Sequence, residues 1–201
     1  MPSGVKVSII PEEIGLPYEV HLVDFNKGDQ HTPEFLSLNP NDRIPAIPDL
    51  NGRDDEPLPL LASGGILQHL AEKTGKLLPN SAARHYPTIQ LVNFQMRGIG
   101  PMFSQLAFFN KFAGRTYEDK RPLQRHVNES RRLLGVRETH LAGRRWIMDD
   151  EYTVADTSMP GWVRNLTGFY EARELVEYDS LQEEVPAWLD PGLARPAVQR
   201  H

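Results

Sequence analysis

The stretch that decides the fold runs from Arg43 to Ile66 and reads RIPAIPDLNGRDDEPLPLLASGGI. Residues 45–50 predict a short strand, the pair Asn51-Gly52 predicts a tight turn, and residues 58–61 predict the returning strand. A helix is then expected over 63–74, ended by a glycine that can adopt the left-handed conformation. Short strands and a helix in close succession indicate a mixed α/β fold for this part of the chain.

The residues before this stretch continue the pattern of short elements. Apolar positions within 5–13 predict a helix that stops at Gly15. Residues 18–24 alternate well enough to predict a strand. Thr32-Pro33 places a capping residue before a first-turn proline, so a short helix should follow. We therefore predict an α/β domain over residues 1–78.

Long helical patterns replace the short elements after residue 78. The segment 79–83 is predicted to be a linker, and residues 84–201 an all-helical domain. One long helix is expected over 84–112, interrupted at Gly98-Ile99-Gly100-Pro101, where two glycines and a proline oppose a continuous hydrogen-bond ladder. A second long helix is expected over 117–141.

A third helix of this domain is predicted to open at a capping box formed by Thr153 and Asp156. The threonine hydroxyl would accept from the backbone N–H three residues on, and the carboxylate would reach back to the threonine N–H. Such a cap contributes about 1 kcal/mol. Tyr152 is expected to face Thr157 instead of an aliphatic side chain.

The composition excludes several classes of function. The 201 residues include 22 basic and 27 acidic side chains, and the net charge of −5 argues against nucleic acid as a partner. There is no cysteine, so the chain can form no disulfide, thiolate metal site or cysteine nucleophile, and any thiol in its chemistry belongs to the substrate. The seven histidines lack zinc-site spacing, and we predict no metal.

Hydropathy gives no sign of a membrane partner. The longest stretch without a charged residue, 57–71, has 15 residues, fewer than the ~20 that a membrane span needs. The residues after Met1 lack the apolar core of a signal peptide. We therefore expect no membrane association and a cytoplasmic location.

Pro45 lies where the chain leaves a loop and enters a strand, a place that suits a cis peptide bond after Ile44. A cis bond would turn the backbone N–H and C=O of Ile44 outward, so that a short peptide could add to the sheet edge as an extra strand. The alternative is a trans proline that starts the strand, and trans is the commoner geometry for such a bond.

Two serines stand at predicted helix starts. At Ser63, followed by two glycines, free backbone N–H groups, the helix dipole and the hydroxyl predict a site for an anion such as a carboxylate. Ser3 opens the first helix in a similar way, and a thiol placed there would be favoured in its thiolate form. For each serine the alternative is a simple helix cap.

Aromatic and basic side chains recur in the predicted helical domain. Phe103, Phe108, Phe109 and Phe112 crowd the interrupted helix, where we expect core or subunit contacts, with some of these side chains left to line an apolar pocket. Arg131-Arg132 lies among charged neighbours, and a solvated helix face is the default expectation for both.

In this order the signals resemble the glutathione transferase family, in particular its nu-class branch and the fungal relatives of that branch. The resemblance covers nearly the whole chain. The matching stretches are GVKVS (4–8), KGDQ (27–30), PEFL (33–36), NPN (39–41), IPAI (44–47), LAEKTG (70–75), GIGPM (98–102), DEYTVAD (150–156) and RPAV (195–198).

The resemblance implies a thioredoxin-like N-terminal domain, an all-helical C-terminal domain, and a homodimer with glutathione bound near the subunit contact. It also implies an enzyme that conjugates glutathione, its co-substrate, to a small electrophile or uses it to reduce a disulfide. The Ile44 backbone, before cis Pro45, would pair with the cysteinyl part of glutathione, and Ser63 would hold the γ-glutamyl carboxylate. Gln30 would contact the glycyl end, and Arg132 would reach into the partner subunit's site.

For the second substrate, the resemblance implies a pocket bordered by Trp162 and by the region 103–109, including Phe103 and Phe108. The nu-class branch reads Thr-Pro-Asn-Gly where this chain reads Met1-Pro2-Ser3-Gly4. Ser3 therefore remains as the hydroxyl that could stabilise the thiolate, and it is our candidate catalytic residue.

Two further departures from the family pattern bear on function. The usual Glu-Ser pair reads Ala62-Ser63, without the carboxylate that would receive the ligand's α-ammonium group. The family's first β-strand would precede Met1, and its loss would expose a sheet edge, so we hypothesise a gene product that starts upstream or has decayed. The alternative to an enzyme is a catalytically degenerate binding or regulatory protein on the same scaffold.

Overall fold

A computed structural model describes residues 1–52, 56–181 and 183–201. In its first part, helix α1 (Pro2–Ile14) is followed by α2 (Pro33–Leu38), strands β1 (Ala46–Asp49) and β2 (Leu58–Leu61), and α3 (Ser63–Thr74). The remainder is helical, and its elements are α4 (Ala82–Phe94), α5 (Gly100–Asn110), α6 (Arg121–Leu141), α7 (Val154–Ser158), α8 (Pro160–Thr167), α9 (Glu184–Leu193) and α10 (Pro196–Gln199).

The first helix confirms the predicted stop and begins earlier than predicted. Gly15 adopts the left-handed conformation with φ of 78°, which ends α1 as a glycine C-cap does. The helix starts at Pro2, because a proline in the first turn needs no backbone N–H there. The short helix α2 is capped as expected, with the Thr32 hydroxyl accepting from the Phe35 N–H at 3.3 Å.

The predicted hairpin is confirmed as an antiparallel pair. Ala46 lies opposite Leu61 and Asp49 opposite Leu58, which fixes the register of β1 and β2. The strand predicted over 18–24 is wrong, since that segment forms no strand. A strand needs a neighbour for its N–H and C=O groups, and no described segment pairs with this one, so Val20 and Leu22 are 62% and 90% exposed.

The predicted interruption of the long helix is also confirmed. Between α4 and α5 the chain widens into a π-helical segment over Gln95–Ile99, a form of turn that recurs at functional sites. Pro101 then falls in the first turn of α5, where the missing N–H costs no hydrogen bond. The backbone of Ile99 and Gly100 stays right-handed helical, so the interruption is a local change from α-helical to π-helical hydrogen bonding.

The later helices agree with the predictions in type. Helix α6 begins at Arg121, four residues after the predicted start, because Pro122 occupies its first turn. The capping box of α7 is present: the Thr153 hydroxyl accepts from the Ala155 N–H, and the Asp156 carboxylate accepts from the Thr153 N–H at 2.9 Å. The Thr157 hydroxyl lies 3.5 Å from the Tyr152 hydroxyl, as expected.

One large apolar core joins the two parts of the chain. Helix α1 packs on α3 and also on the later helices α7, α8 and α10. The predicted linker over 79–83 contains the start of α4 at Ala82, and the domain limits stay a prediction. Along the described residues no helix is both long enough and apolar enough to cross a bilayer.

Candidate functional site

Two adjacent cavities lie where α1, the β1 entry loop, the start of α3 and the π-helical segment meet. The smaller one, about 180 Å³, is lined by Ser3, Asn39, Asn41, Arg43, Ile44, Pro45, Leu61, Ala62, Ser63 and Met96. The larger one, about 370 Å³, is lined by Ser3, Gln95, Met96, Gly100, Pro101, Ser104, Gln105 and Trp162. Ser3 and Met96 line both cavities, so the two spaces meet at these side chains.

The loop that enters β1 forms one wall of the smaller cavity. The Ile44–Pro45 peptide bond is cis, which confirms the prediction. The loop is held by the buried Asn39, whose side-chain amide donates to the Arg43 C=O and whose oxygen accepts from the Asn41 N–H. Within the described part of the chain the N–H and C=O of Ile44 make no hydrogen bond, so both are available to an extended ligand.

The start of α3 forms the opposite wall. Ala62 is the N-cap residue and Ser63 lies one position inside the helix, so the Ser63 hydroxyl does not cap it. That hydroxyl instead lies 3.6 Å from the Met96 sulfur, and the first N–H groups of α3 have no helical partner. Amides, hydroxyl and helix dipole together suit a carboxylate.

Ala62 itself is in a strained conformation. Its φ of 62° and ψ of 109° lie in a region that residues with a Cβ rarely adopt, and such strain costs on the order of 1–3 kcal/mol. This backbone conformation of Ala62 turns the chain sharply from β2 into α3 and places Ser63 at the cavity wall. Strained residues of this kind concentrate at ligand sites.

Ser3 lies at the junction of the two cavities. Met1 is the N-cap of α1, so the expectation that Ser3 merely caps this helix is wrong. The Ser3 hydroxyl has no hydrogen-bond partner among the described residues and is therefore free for a ligand. From this position the hydroxyl could reach the thiol of a ligand that is bound in the smaller cavity and reacts with a second molecule in the larger one.

Met96 is packed tightly against the start of α3. A Cβ added at Gly64 would come within 2.7 Å of the Met96 Cγ, whereas one added at Gly65 would meet nothing within 4 Å. Only a residue without a side chain therefore fits at position 64 while Met96 keeps its place between the cavities.

We predict that Gly64→Ala destabilises the protein by about 1–2 kcal/mol, because the clash with Met96 outweighs the better helix propensity of alanine. The matched control Gly65→Ala should stabilise it by about 0.5–1 kcal/mol, since alanine gains helix propensity there without a clash. Thermal melts of the three proteins measure both effects. Equal melting temperatures for the two variants would contradict this account of Met96.

A buried lysine lies behind the cavities. Lys6 is 2% exposed and donates to the Gln95 side-chain oxygen, with its Nζ also 3.3 Å from the Met96 sulfur. Burial lowers the pKa of Lys6 to about 7, because a charged amine loses its hydration in the interior. Both residues that it contacts line the cavities.

The larger cavity contains one of the predicted second-substrate residues. Trp162 lines it, and its ring N–H is buried without a partner within the described residues. Phe103 is fully buried in the core, and Phe108 stacks edge-on with Phe109 and near Tyr117. Neither phenylalanine is among the residues that line the cavity.

Two other predicted residues lie outside both cavities. Gln30 is in a short 3₁₀ turn, where its amide nitrogen is 3.0 Å from the His31 ring and its oxygen is buried without a described partner. Arg132 lies on the surface of α6, paired with Glu129 at 2.7 Å, and reach into a partner subunit stays a prediction. Arg131 pairs with Glu177 and donates to the Leu175 C=O. These contacts fix its side chain more than we expected for a residue on a solvated helix face.

Sequence reasoning gave no role to several residues that build the site. Met96, Gln95 and Lys6 were missed, although Lys6 interrupts the apolar face of α1 and could have signalled a buried charge. Asn39 and Arg43 lie shortly before the Ile44-Pro45 motif. The sequence Asn-Pro-Asn that begins at Asn39 is a turn signal that could have pointed to them.

Comparison with known proteins defines the class. A family model described as the glutathione S-transferase N-terminal domain matches residues 2–72. Over 98% of its length, the chain is 36% identical to the disulfide-bond oxidoreductase YfcG of Escherichia coli, of which it covers 88%. It is 34% identical to glutathione S-transferase 2 of Schizosaccharomyces pombe, with 98% and 89% of the two chains covered. The chain belongs to the glutathione transferase family, as its sequence predicted.

Solved structures confirm the predicted fold, a thioredoxin-like domain followed by helices. A glutathione transferase family member from Pseudomonas fluorescens, solved with two glutathione molecules bound, is 60% identical with a TM-score of 0.97, and 100% of this chain and 88% of that chain are covered. A glutathione transferase from Pseudomonas putida, solved with one glutathione disulfide per subunit, is 56% identical with a TM-score of 0.96, at 100% and 86% coverage.

Proposed function

We propose that this protein is an enzyme that binds glutathione in the smaller cavity and uses its thiol on a second molecule in the larger one. The observation that carries the proposal is that two cavities meet at one free hydroxyl, Ser3. A chain without cysteine must take its thiol from the ligand. Relatives named as disulfide-bond oxidoreductases and glutathione transferases support the same assignment.

The smaller cavity suits a tripeptide with an anionic end. The free N–H and C=O of Ile44 would pair with the cysteinyl residue of glutathione, and Ser63 with the amides of α3 would hold the γ-glutamyl carboxylate. Arg43, 68% exposed in its side chain, borders the same cavity and offers a cation to the other carboxylate. This arrangement would place the ligand sulfur beside Ser3.

Ser3 would stabilise the sulfur as a thiolate by donating its hydroxyl hydrogen. Against a disulfide, the thiolate attacks one sulfur, the substrate S–S bond breaks, and the leaving thiolate takes a proton. A second glutathione thiolate then attacks the glutathione sulfur of the mixed disulfide, which yields glutathione disulfide and the second substrate thiol. Against an electrophilic carbon, the thiolate forms a C–S bond and the substrate's leaving group departs.

A titration with glutathione, paired with turnover assays on a small disulfide and on an activated aryl chloride, tests the proposal. Binding together with turnover of either substrate supports it. Binding without turnover would instead favour a regulatory or binding role, for which the absence of a carboxylate at Ala62 is the specific observation. No binding at millimolar glutathione would overturn both.

We predict that Ser63→Ala weakens glutathione binding about tenfold or more, because a hydrogen bond to a charged group contributes about 1.5–3 kcal/mol. Calorimetry on the variant measures the change. Ser37→Ala is the matched control, since the Ser37 hydroxyl donates to the Glu34 C=O on an exposed helix away from both cavities. Unchanged affinity in the Ser63 variant would remove this residue from the site.

The assembly and location of the protein belong to the same proposal. A homodimer, in which Arg132 of one subunit contacts the site of the other, is supported by the family resemblance and by the exposure of this side chain on α6. For the second substrate Trp162 is the better candidate, because it lines the larger cavity and Phe103 and Phe108 do not. We also propose a cytoplasmic location.

A further inference from the structure

The buried lysine described above has no counter-charge among the residues that the structure describes. Lys6 contacts an amide oxygen and a thioether, and within the described residues no carboxylate lies within ion-pair distance of its Nζ. Buried charges in proteins are normally paired. A lysine that is buried without a counter-charge is therefore costly to the fold, which makes Lys6 a candidate for a functional role.

The carboxylates on the elements around Lys6 contact other groups. Burial is the cause of the lowered pKa of Lys6. On α1, Glu12 and Glu13 pair with Arg200 and Arg195. On α3, His69 and Lys73 both pair with Asp49, and Glu72 accepts from Gln68. On α7, Asp156 accepts from backbone donors and from the Trp188 ring. The remaining charged groups are Arg164, which is partly exposed, and Arg97, which is exposed.

The contacts of Lys6 lead to the anion corner of the smaller cavity. The Met96 sulfur lies 3.3 Å from the lysine Nζ and 3.6 Å from the Ser63 hydroxyl oxygen. A single sulfur atom thus separates the buried cation from the corner that suits a carboxylate. On its other side Lys6 holds the Gln95 oxygen, which orients that side chain in the wall of the larger cavity.

We propose that Lys6 is a positioning residue whose positive charge is balanced by the ligand carboxylate seated at Ser63, with Met96 between them. The inference rests on the proposed binding of glutathione in the smaller cavity. In the free protein the ammonium is unmatched, and the arriving carboxylate completes the pair. Binding should then favour the protonated lysine and be strongest where Lys6 is already charged.

The test uses S-methylglutathione, which keeps both carboxylates and has no thiol to titrate. Its affinity for the unsubstituted protein should fall about tenfold between pH 6 and pH 8, because a group with a pKa of about 7 must take up a proton on binding. Calorimetry in buffers of different ionisation enthalpy should show uptake of about half a proton at pH 7.

Lys6→Met removes the charge and keeps the buried length of the side chain. We expect its affinity for S-methylglutathione to be about tenfold lower at pH 6, with little pH dependence and no proton uptake. Lys27→Met, which removes a lysine that is 77% exposed in its side chain, is the matched control and should behave as the unsubstituted protein does.

Thermal melts without ligand separate this role from a purely structural one. Because an unpaired buried charge is costly, Lys6→Met should melt no lower than the unsubstituted protein at pH 6. A variant that melts lower, and binds S-methylglutathione as tightly and with the same pH dependence as the unsubstituted protein, would overturn the inference while leaving the proposed function intact. Failure of the unsubstituted protein to bind glutathione or S-methylglutathione would overturn the proposed function and this inference with it.

Discussion

Replacing Asp156 by alanine is expected to destabilise the protein by about 3–5 kcal/mol, the largest stability effect that we predict. Its fully buried carboxylate accepts from the Ile147 N–H at 2.8 Å, the Thr153 N–H at 2.9 Å and the Trp188 ring N–H at 2.9 Å. The alanine variant would leave all three donors buried without an acceptor. Each such orphaned group costs about 1–3 kcal/mol.

The carboxylate also acts on a buried cation. Burial lowers the pKa of Arg137 to about 10, and the charge of Asp156 acts in the opposite direction. Loss of Asp156 therefore removes the carboxylate of the helix cap, the hydrogen bond to Trp188 of α9 and a negative charge that favours the protonated form of Arg137. Helix α7 packs on α1, α3 and α4, so the damage should spread to the helix that carries Ser3.

Thermal or denaturant unfolding measures the effect. For a chain of this size a loss of 3–5 kcal/mol corresponds to a fall in the melting temperature of about 10 °C or more. Asp150→Ala is the control, because Asp150 is exposed in the same loop, and its removal should change stability by less than about 0.5 kcal/mol. Similar melting temperatures for the two variants would mean that the Asp156 hydrogen bonds contribute little.

The features that sequence reasoning placed correctly are those with local causes. The capping box at Thr153 depends on residues three positions apart, and the ends of α3 depend on Gly75 and on the turn before Ser63. Hydrogen-bonding side chains and glycine act on their immediate neighbours, so a short window of sequence contains the information. The resemblance to a family added the cis bond before Pro45 and the pairing of Ile44 with Ser63 in one cavity.

What sequence reasoning missed depends on contacts between distant residues. Lys6 and Gln95 are 89 positions apart, and no local pattern relates a lysine in α1 to a π-helical turn. The strand expected over 18–24 failed for a related reason, since alternation gives the faces of a strand without giving it a partner. Phe103 was expected near a pocket, but apolar spacing alone does not distinguish a core face of α5 from a cavity face.

Removal of the Ser3 hydroxyl is expected to lower turnover about 10²-fold with little change in glutathione affinity, the largest effect on catalysis that we predict. Removal of a hydrogen-bond donor that points at a charge developing in the reaction lowers the rate by about this factor. The cause is specific to position 3: the cavities meet there, and a thiolate at their junction would lose its hydrogen-bond donor.

The measurement is the rate of glutathione-dependent disulfide reduction and of conjugation by Ser3→Ala, together with a glutathione titration. Ser8→Ala provides the comparison, because it deletes a hydroxyl from the same helix at a position that lines neither cavity. Loss of the donor should also raise the pKa of the bound thiol, so the rate of the Ser3 variant should recover in part as the pH rises. A variant as fast as the unsubstituted protein at neutral pH would show that the thiolate is stabilised elsewhere. Because the amide groups of α1 and α3 remain in place, some residual activity should persist even without the hydroxyl.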